Sequence, residues 1–222
     1  MKKLEFRTLT ADEIDCRVGT VTDQGCSLLL YKDARVDMRL LDEVVGAQNW
    51  KREHEVINGN LFCTVSIWDD EKQNWVSKQD VGVESNTEKE KGQASDAFKR
   101  ACVNWGIGRE LYTSPFVWIR LGNDEWRQGT NGRKAPKTRF YVSDIEYENG
   151  NVSHLRIVDE NGRERFLFGH SNTDEVGNAC LEAAAAANIQ ELEAIYHKYE
   201  KKYKSNTYFI NAVTKRKNEL AA

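Results

Sequence analysis

The sequence predicts an α+β fold: an antiparallel β-meander packed on a long helix (a β-β-β-α core), followed by a β-hairpin region and a C-terminal helical segment. Three observations support this class. Alternating apolar residues flank Asn-Gly turns, an amphipathic helical pattern follows the meander, and strong helix formers dominate the chain from residue 172 onward. Strands come first and helices follow them, which is typical of α+β proteins.

The first elements are two short strands, a helix and a meander. Residues 16–21 and 26–31 have strand-like sequences, and the TDQG sequence between them is a turn. Residues 35–46, RVDMRLLDEVVG, carry apolar side chains at helical spacing and end in glycine, a preferred residue after a helix. Residues 50–84 then alternate around an Asn-Gly pair and a second turn in DDEKQN, which predicts three antiparallel strands.

The longest helix is predicted over residues 87–105. Thr87 is a favourable N-cap, Glu90 completes a capping box, and Gly106 and Gly108 end the helix. One face carries small and aromatic side chains, which predicts very close packing against the meander: Ala94, Ala97, Phe98, Ala101 and Trp105. The opposite face carries the cations Lys89, Lys99 and Arg100, with Lys91 on its flank.

After this helix, TSPFVWIRL predicts one more strand, and residues 122–138, rich in Gly, Asn, Lys and Arg, predict a long, mobile loop. Three strands around two Asn-Gly turns follow, and then at least two helices. The chain therefore divides into a core, a basic flexible loop, a β-hairpin extension and a helical C-terminal region, with boundaries at residues 1–122, 123–137, 138–170 and 171–222.

Composition excludes several classes of protein. The chain is 40% hydrophobic and 30% charged, as in ordinary soluble proteins, and no apolar run approaches the ~20 residues that span a bilayer. The N-terminus lacks the hydrophobic segment of a signal peptide, so we expect a cytoplasmic protein with no membrane partner. Five scattered cysteines and four separated histidines form no metal-binding motif, so we expect reduced thiols, no metal and no cofactor.

No motif for enzymatic chemistry is present. GTNGRK at residues 129–134 lacks the spacing of a phosphate-binding loop, and the glycine pair after the long helix lacks the third glycine of a dinucleotide fingerprint. Asp69 and Asp70 could hold magnesium in a nuclease, but acidic residues are favoured in a hairpin turn for local reasons. We therefore expect a protein that is not an enzyme.

Basic charge is concentrated in the middle of the chain. The net charge is −3, yet residues 87–139 contain 11 basic and 6 acidic residues. These cations, together with Lys51 and Arg52 of the meander, could line one groove beside aromatic rings, as single-strand binding requires. The aromatic candidates are Trp50, Trp105, Tyr112 and Trp126. Mixed surface charge alone is an equally simple interpretation.

The segment KQDVGVESNTEKEKGQASDAFKRACVNWGIG, residues 78–108, resembles the signature of the Rad52 family of single-strand annealing proteins, including phage recombinases of the Sak type. The matching positions are Asp80-Val81-Gly82, Glu88-Lys89, Ala94 (one residue out of register), Asp96, Lys99-Arg100-Ala101 and Trp105-Gly106. Upstream, DARVDMRLLDEVVGAQNW is similar to the family's helix, glycine and closing tryptophan, at a spacing one residue longer.

The resemblance implies a ring or filament of identical subunits that holds single-stranded DNA along a basic groove. It assigns DNA contacts to Lys99, Arg100, Lys91 and Arg35, whereas the charge pattern adds Lys89, Lys51, Arg52, Arg109 and Lys134. Where the family commonly has a further arginine, this chain has Val103, for which Arg109 or Lys134 could compensate.

The resulting hypothesis is ATP-independent annealing of complementary single strands in recombination or DNA repair by a phage-encoded protein of the host cytoplasm. The C-terminal helices would serve oligomerisation or contact a single-strand binding protein. Two alternatives stay open: an oligomeric scaffold whose groove is unused, and a double-stranded RNA binder of the same fold.

Overall fold

The computed structural model of the protein describes residues 4–83, 89–129, 134–169, 171, 175–204 and 206–221. All the strands of this described chain lie before residue 170 and three helices follow them, so the predicted α+β class is confirmed. Within the same residues, no helix combines the length and the apolar character that crossing a membrane would require. The predicted N-cap Thr87 lies outside these ranges, so the capping box that it would form with Glu90 lies outside the described residues as well.

Six strands form a curved sheet around the larger hydrophobic core. They are β1 (Asp15–Thr22), β2 (Gly25–Tyr31), β6 (Val117–Arg120), β9 (Phe140–Glu148), β10 (Asn151–Asp159) and β11 (Glu164–Gly169). Their order is β11-β10-β9-β1-β2-β6. The two edge strands approach each other, since Arg165 Nη2 donates to the carbonyl oxygen of Arg120 at 2.9 Å. Because β9 pairs with β1, the predicted core and hairpin extension share one sheet.

The predicted β-β-β-α core is present as a second layer. Its elements, with the helix that precedes them, are α1 (Ala34–Val45), β3 (Trp50–Ile57), β4 (Asn60–Asp69), β5 (Asn74–Val81) and α2 (Lys89–Trp105). The strands form a three-stranded meander, and α2 crosses β4 and β5. Positive φ angles of 51° at Asn58 and 78° at Gly59 produce the predicted hairpin turn.

Close packing between α2 and the meander explains the alanine-rich stripe. Ala97, Phe98 and Ala101 are completely buried. A β carbon on Gly82, just after β5, would lie 2.2 Å from the carbonyl oxygen of Gln93 and 2.8 Å from the β carbon of Ala97. The backbone of the sheet therefore touches the helix directly, and only small side chains fit between them.

The prediction that residues 122–138 lack regular structure is wrong for the described part of that segment. Asn123–Glu125 form a 3-10 turn, and a short antiparallel hairpin follows, with strands β7 (Trp126–Gln128) and β8 (Lys134–Pro136). Glu125 ties this region to β11, since its Oε1 accepts from Arg165 Nη1 at 2.6 Å. Local composition gave no sign of a partner 40 residues away in sequence.

The C-terminal region contains α3 (Glu175–Ala185), α4 (Ile189–Tyr203) and α5 (Thr207–Ala221). These three helices, one more than the predicted minimum, enclose a small core of their own. Its buried residues include Ala179, Ala183, Leu192 and Phe209, with the ring of Tyr196 stacked on that of Phe209. A helical C-terminal segment is thus confirmed.

Candidate nucleic-acid interface

A groove runs between α2, β2 and the 3-10 segment Arg109–Thr113 that follows α2. Its lining includes three cations at its surface and two aromatic rings, from four different elements: Lys99, Arg100, Arg17, Tyr31 and Tyr112. The buried Lys32 and the acidic Asp96 also line it. Helix α2 supplies the first pair because successive residues Lys99 and Arg100 lie away from the buried Ala97–Phe98 face. Strand pairing supplies Arg17, which lies opposite Leu29 in the β1–β2 ladder.

Lys99 lies beside an aromatic ring. Its Nζ is 5.8 Å from the ring centroid of Tyr31, within reach of a cation–π interaction. Within the described residues, no carboxylate oxygen forms an ion pair with Lys99, and its side chain is half-buried. The ammonium group is therefore positioned at the groove without an internal counter-charge in contact with it.

Arg100 is positioned by an acid. Its Nε donates to Oδ1 of Asp80 at 3.3 Å, and its side chain is 42% exposed. Asn104 Nδ2 donates to the other oxygen of the same carboxylate at 3.4 Å. This arrangement orients the guanidinium group at the groove while leaving donors on its other edge for a further anion.

A buried ion pair lies under the groove. The Lys32 ammonium contacts Oδ1 of Asp37, and both side chains are almost fully buried. Gly108, with φ of 70°, makes room for Lys32, since a β carbon there would lie 2.3 Å from its Cε. Burial raises the pKa of Asp37 to about 6, although Lys32 opposes this change. The pair fixes β2 against α1 and against the turn after α2.

Several predicted cations do not line the groove. Arg35 at the start of α1 is 84% exposed, and its Nε lies 2.8 Å from Oδ1 of Asp33 in a separate, acidic cleft. The hydrogen bond from Arg35 lowers the pKa of Asp33. Lys91 is exposed near the beginning of α2. Lys89 is the first residue of that helix, and its side chain is outside the described part of the chain.

Lys51 and Arg52 lie on opposite faces of β3, as neighbouring residues of a strand do. Lys51 Nζ is 3.2 Å from Oε1 of Glu53 and 5.1 Å from the ring centroid of Trp75. The Arg52 guanidinium lies 4.6 Å from the ring centroid of Phe98 and covers the edge of the core. These two cations therefore do not act as a pair.

Arg109 and Lys134 have local partners. Arg109 Nη2 donates to the carbonyl oxygens of Val103 and Asn104 at 3.0 and 3.1 Å, which stabilises the C-terminal end of α2. Lys134 Nζ lies 2.5 Å from Oδ1 of Asp23, in a cleft beside the β1–β2 turn. Val103 lines the groove, but Arg109 and Lys134 do not. Neither cation therefore replaces, at the groove, the arginine that the family commonly has in place of Val103.

Tyr112 is the one member of the predicted aromatic set that lines the groove, where it is 71% exposed. Trp50 stacks on Phe98 with ring centroids 6.1 Å apart. Trp105 donates from Nε1 to a β4 carbonyl oxygen at 3.0 Å. Trp126 belongs to the β7–β8 hairpin. These three tryptophans support the fold.

The sequence analysis missed Arg17 and Tyr31. The hairpin that contains both was predicted, and its antiparallel register places Arg17 opposite Leu29 and Tyr31 two residues further along, on the same face. What the sequence did not show is which face of that hairpin meets α2, because this depends on packing between elements far apart in the chain. The described residues contain no group of three or more His, Cys, Asp or Glu side chains suited to a metal ion.

Comparison with known proteins agrees with this architecture. The profile of the Rad52/22 family of double-strand break repair proteins matches residues 1–130. The chain belongs to the Rad52/22 family. A single-stranded DNA-binding protein DdrA from Deinococcus deserti is 34% identical over 158 residues, covering 68% of this chain and 74% of the relative. No solved structure gives a significant match.

A second relative, single-stranded DNA-binding protein DdrA from Deinococcus radiodurans, is 34% identical over 116 residues. That alignment covers 50% of this chain and 49% of the relative. The part that matches the Rad52/22 family contains all the cations and rings of the groove, whereas α3, α4 and α5 lie beyond residue 130. The family resemblance predicted from residues 78–108 is therefore confirmed.

Proposed function

We propose that this Rad52/22 family protein binds single-stranded DNA in the groove of α2 and anneals complementary strands in recombination or repair without using ATP. The observation that carries the proposal is the convergence of Lys99, Arg100 and Arg17 beside Tyr31 and Tyr112. Cations neutralise phosphates and rings stack with bases, a combination suited to binding that does not depend on sequence. The names of the two DdrA relatives support the choice of single-stranded DNA.

The chemistry needs no covalent step. Pairing of complementary strands is downhill, but it is slowed by repulsion between phosphates and by stray structure within each strand. A protein that neutralises phosphates and leaves base edges exposed lowers both barriers. Many weak sites in series would hold a long strand by avidity, so we further propose assembly into a homo-oligomeric ring or filament.

Two finer elements of the hypothesis remain predictions. A phage origin is what the resemblance to Sak-type recombinases implies. Contact with a single-strand binding protein is assigned to α3, α4 and α5 because they form a separate small core outside the family match.

The direct test combines binding with annealing. The purified protein is titrated with labelled oligonucleotide, and complementary strands are mixed with protein in the presence and absence of ATP. We expect tight, salt-sensitive binding and faster annealing under both conditions. Oligomerisation without retention of the oligonucleotide would favour a scaffold, and stronger competition by duplex RNA than by single-stranded DNA would favour an RNA binder.

A further inference from the structure

Two aromatic rings, one exposed and one half-buried, lie beside the groove. Phe116 is 76% exposed, and its ring stacks with that of Trp118, with centroids 6.4 Å apart and planes 19° from parallel. Their neighbours Val117 and Ile119 point into the core and are almost fully buried. The alternation along β6 therefore places one apolar pair inside and one aromatic pair outside.

Strand register connects these rings to the groove. In the β2–β6 ladder, Ser27 pairs with Trp118 and Leu28 pairs with Val117. Continuing this antiparallel register by one residue places Phe116 opposite Leu29, which is 58% exposed and lines the groove. Arg17 lies on the other side of Leu29 in the β1–β2 ladder. A row from Arg17 through Leu29 to Phe116 thus runs directly out of the groove.

Cations border this aromatic pair on both sides. Arg17 lies at the groove end of the row, and Arg120, two residues beyond Trp118 on β6, is exposed at the far end. Side chains two residues apart on a strand lie on the same face, so Phe116, Trp118 and Arg120 follow one another along the sheet surface. Alternating cations and rings on one surface match the backbone and bases of a single strand.

We propose that Phe116 and Trp118 form a stacking platform for the bases of a single strand that continues from the groove along β6. The proposal rests on the proposed function and extends it to a second set of contacts, to bases rather than phosphates. A base has an apolar face and a polar edge, so it covers an aromatic ring while its pairing edge stays available. A second copy of this chain is the competing occupant, but the adjoining cations favour an anionic polymer.

The test uses oligonucleotides that separate bases from backbone. The full chain and the variants Phe116→Ala and Phe116→Ala/Trp118→Ala are titrated with oligo-dT and with an abasic oligonucleotide of equal length. We expect a loss of about five-fold or more for oligo-dT in each variant, with little change for the abasic strand and an unchanged salt dependence. Tyr208→Ala, which removes a half-exposed ring on α5, is the matched control and should change neither affinity.

Each outcome decides the question. Phe116→Tyr should retain binding, since a ring remains, and circular dichroism of each variant shows whether the fold is kept. Equal losses for both oligonucleotides, or no loss for oligo-dT in a folded variant, would overturn the platform while leaving the groove intact. A change in the oligomeric state of Phe116→Ala with unchanged binding would identify an interface between copies instead. Failure of the unmodified chain to bind either oligonucleotide would overturn both proposals.

Discussion

Arg100 and Asp80 are joined across the seam between α2 and β5, with Nε of the arginine 3.3 Å from Oδ1 of the aspartate. The ion pair orients Arg100 toward the groove, and it also places a negative charge beside one of the cations that we propose bind phosphates. The contact is partly exposed, so its own contribution to stability is about 1 kcal/mol or less.

We therefore expect Asp80→Asn to strengthen binding of single-stranded DNA. The amide oxygen can still accept the hydrogen bond from Arg100. The long contact from Asn104 is lost, and the competing negative charge is removed. The expected gain is about two- to five-fold at low salt, and it should shrink as salt rises. Fluorescence anisotropy at several salt concentrations measures it. Asp124→Asn, at an exposed turn, is the control, and weaker binding by Asp80→Asn would contradict this account.

Gly82→Ala should destabilise the fold. The added β carbon would clash with the Gln93 carbonyl oxygen and with Ala97, so α2 would have to shift away from the sheet. We expect a cost of about 1–3 kcal/mol in the free energy of unfolding, measured by urea titration. Gly59→Ala is the control for the steric argument, because a β carbon at position 59 would meet no other atom. Its expected cost is only the strain of a positive φ, about 1 kcal/mol. Equal costs at both positions would argue against close packing.

The buried Lys32–Asp37 pair predicts a pH-dependent stability. The folded pKa of Asp37, about 6, lies above its ordinary value of 3.8. The folded protein therefore binds more protons than the unfolded chain between these values. The contribution of Asp37 to stability should rise as pH falls through 6 and level off below about 4.

Substitutions separate this pair from other titrating groups. Asp37→Asn leaves the Lys32 ammonium buried without its anion and should cost about 3–5 kcal/mol at pH 7. The double variant Lys32→Met/Asp37→Leu should recover most of that loss, since no unpaired charge remains buried. Urea titrations at pH 7 and pH 5 measure both effects. A double variant as unstable as Asp37→Asn would show that the charges themselves are required.

The contribution of Glu125 to stability should fall as pH falls, opposite to that of Asp37. Hydrogen bonds from Arg165, aided by the Gly122 amide, lower the pKa of Glu125 from 4.5 to about 2. Its stabilising contribution is thus complete above about pH 4.5 and is lost as pH falls through 2. We expect Glu125→Gln to cost about 1–2 kcal/mol at pH 7 and almost nothing at pH 2. A cost of Glu125→Gln that is the same at both pH values would show that the charge of Glu125 is not the source of the stabilisation. Glu160→Gln, at an exposed turn, is the control.

Local chemistry made much of the fold predictable. The Asn58-Gly59 pair specifies its hairpin turn without any contact from the rest of the fold. The alanines of α2 indicate that another element packs closely against the helix, although they do not show which element. The long-range pairings were not predictable in this way. Asp15 of β1 pairs with Tyr141 of β9, and no local pattern in either strand specifies the other.

The site was predictable in part for the same reason. Lys99 and Arg100 lie on one helix, so periodicity alone separates them from the buried face. Arg35 was assigned from the family resemblance and Lys134 from the charge pattern, but folding places each beside an aspartate in a different cleft. Arg17 reaches the groove because β1 pairs with β2. The distribution of charge along the chain gives no information about this pairing.

The salt dependence of single-stranded DNA binding tests the central claim most directly. The logarithm of the binding constant for oligo-dT is plotted against the logarithm of salt concentration for the unmodified chain and for Lys99→Ala/Arg100→Ala. Each lost phosphate contact should flatten the slope by about 0.7, so we predict weaker binding and a slope reduced by about 1.4. Lys198→Ala/Lys201→Ala on α4 should leave the plot unchanged. Parallel lines of equal affinity for the unmodified chain and Lys99→Ala/Arg100→Ala would contradict the account.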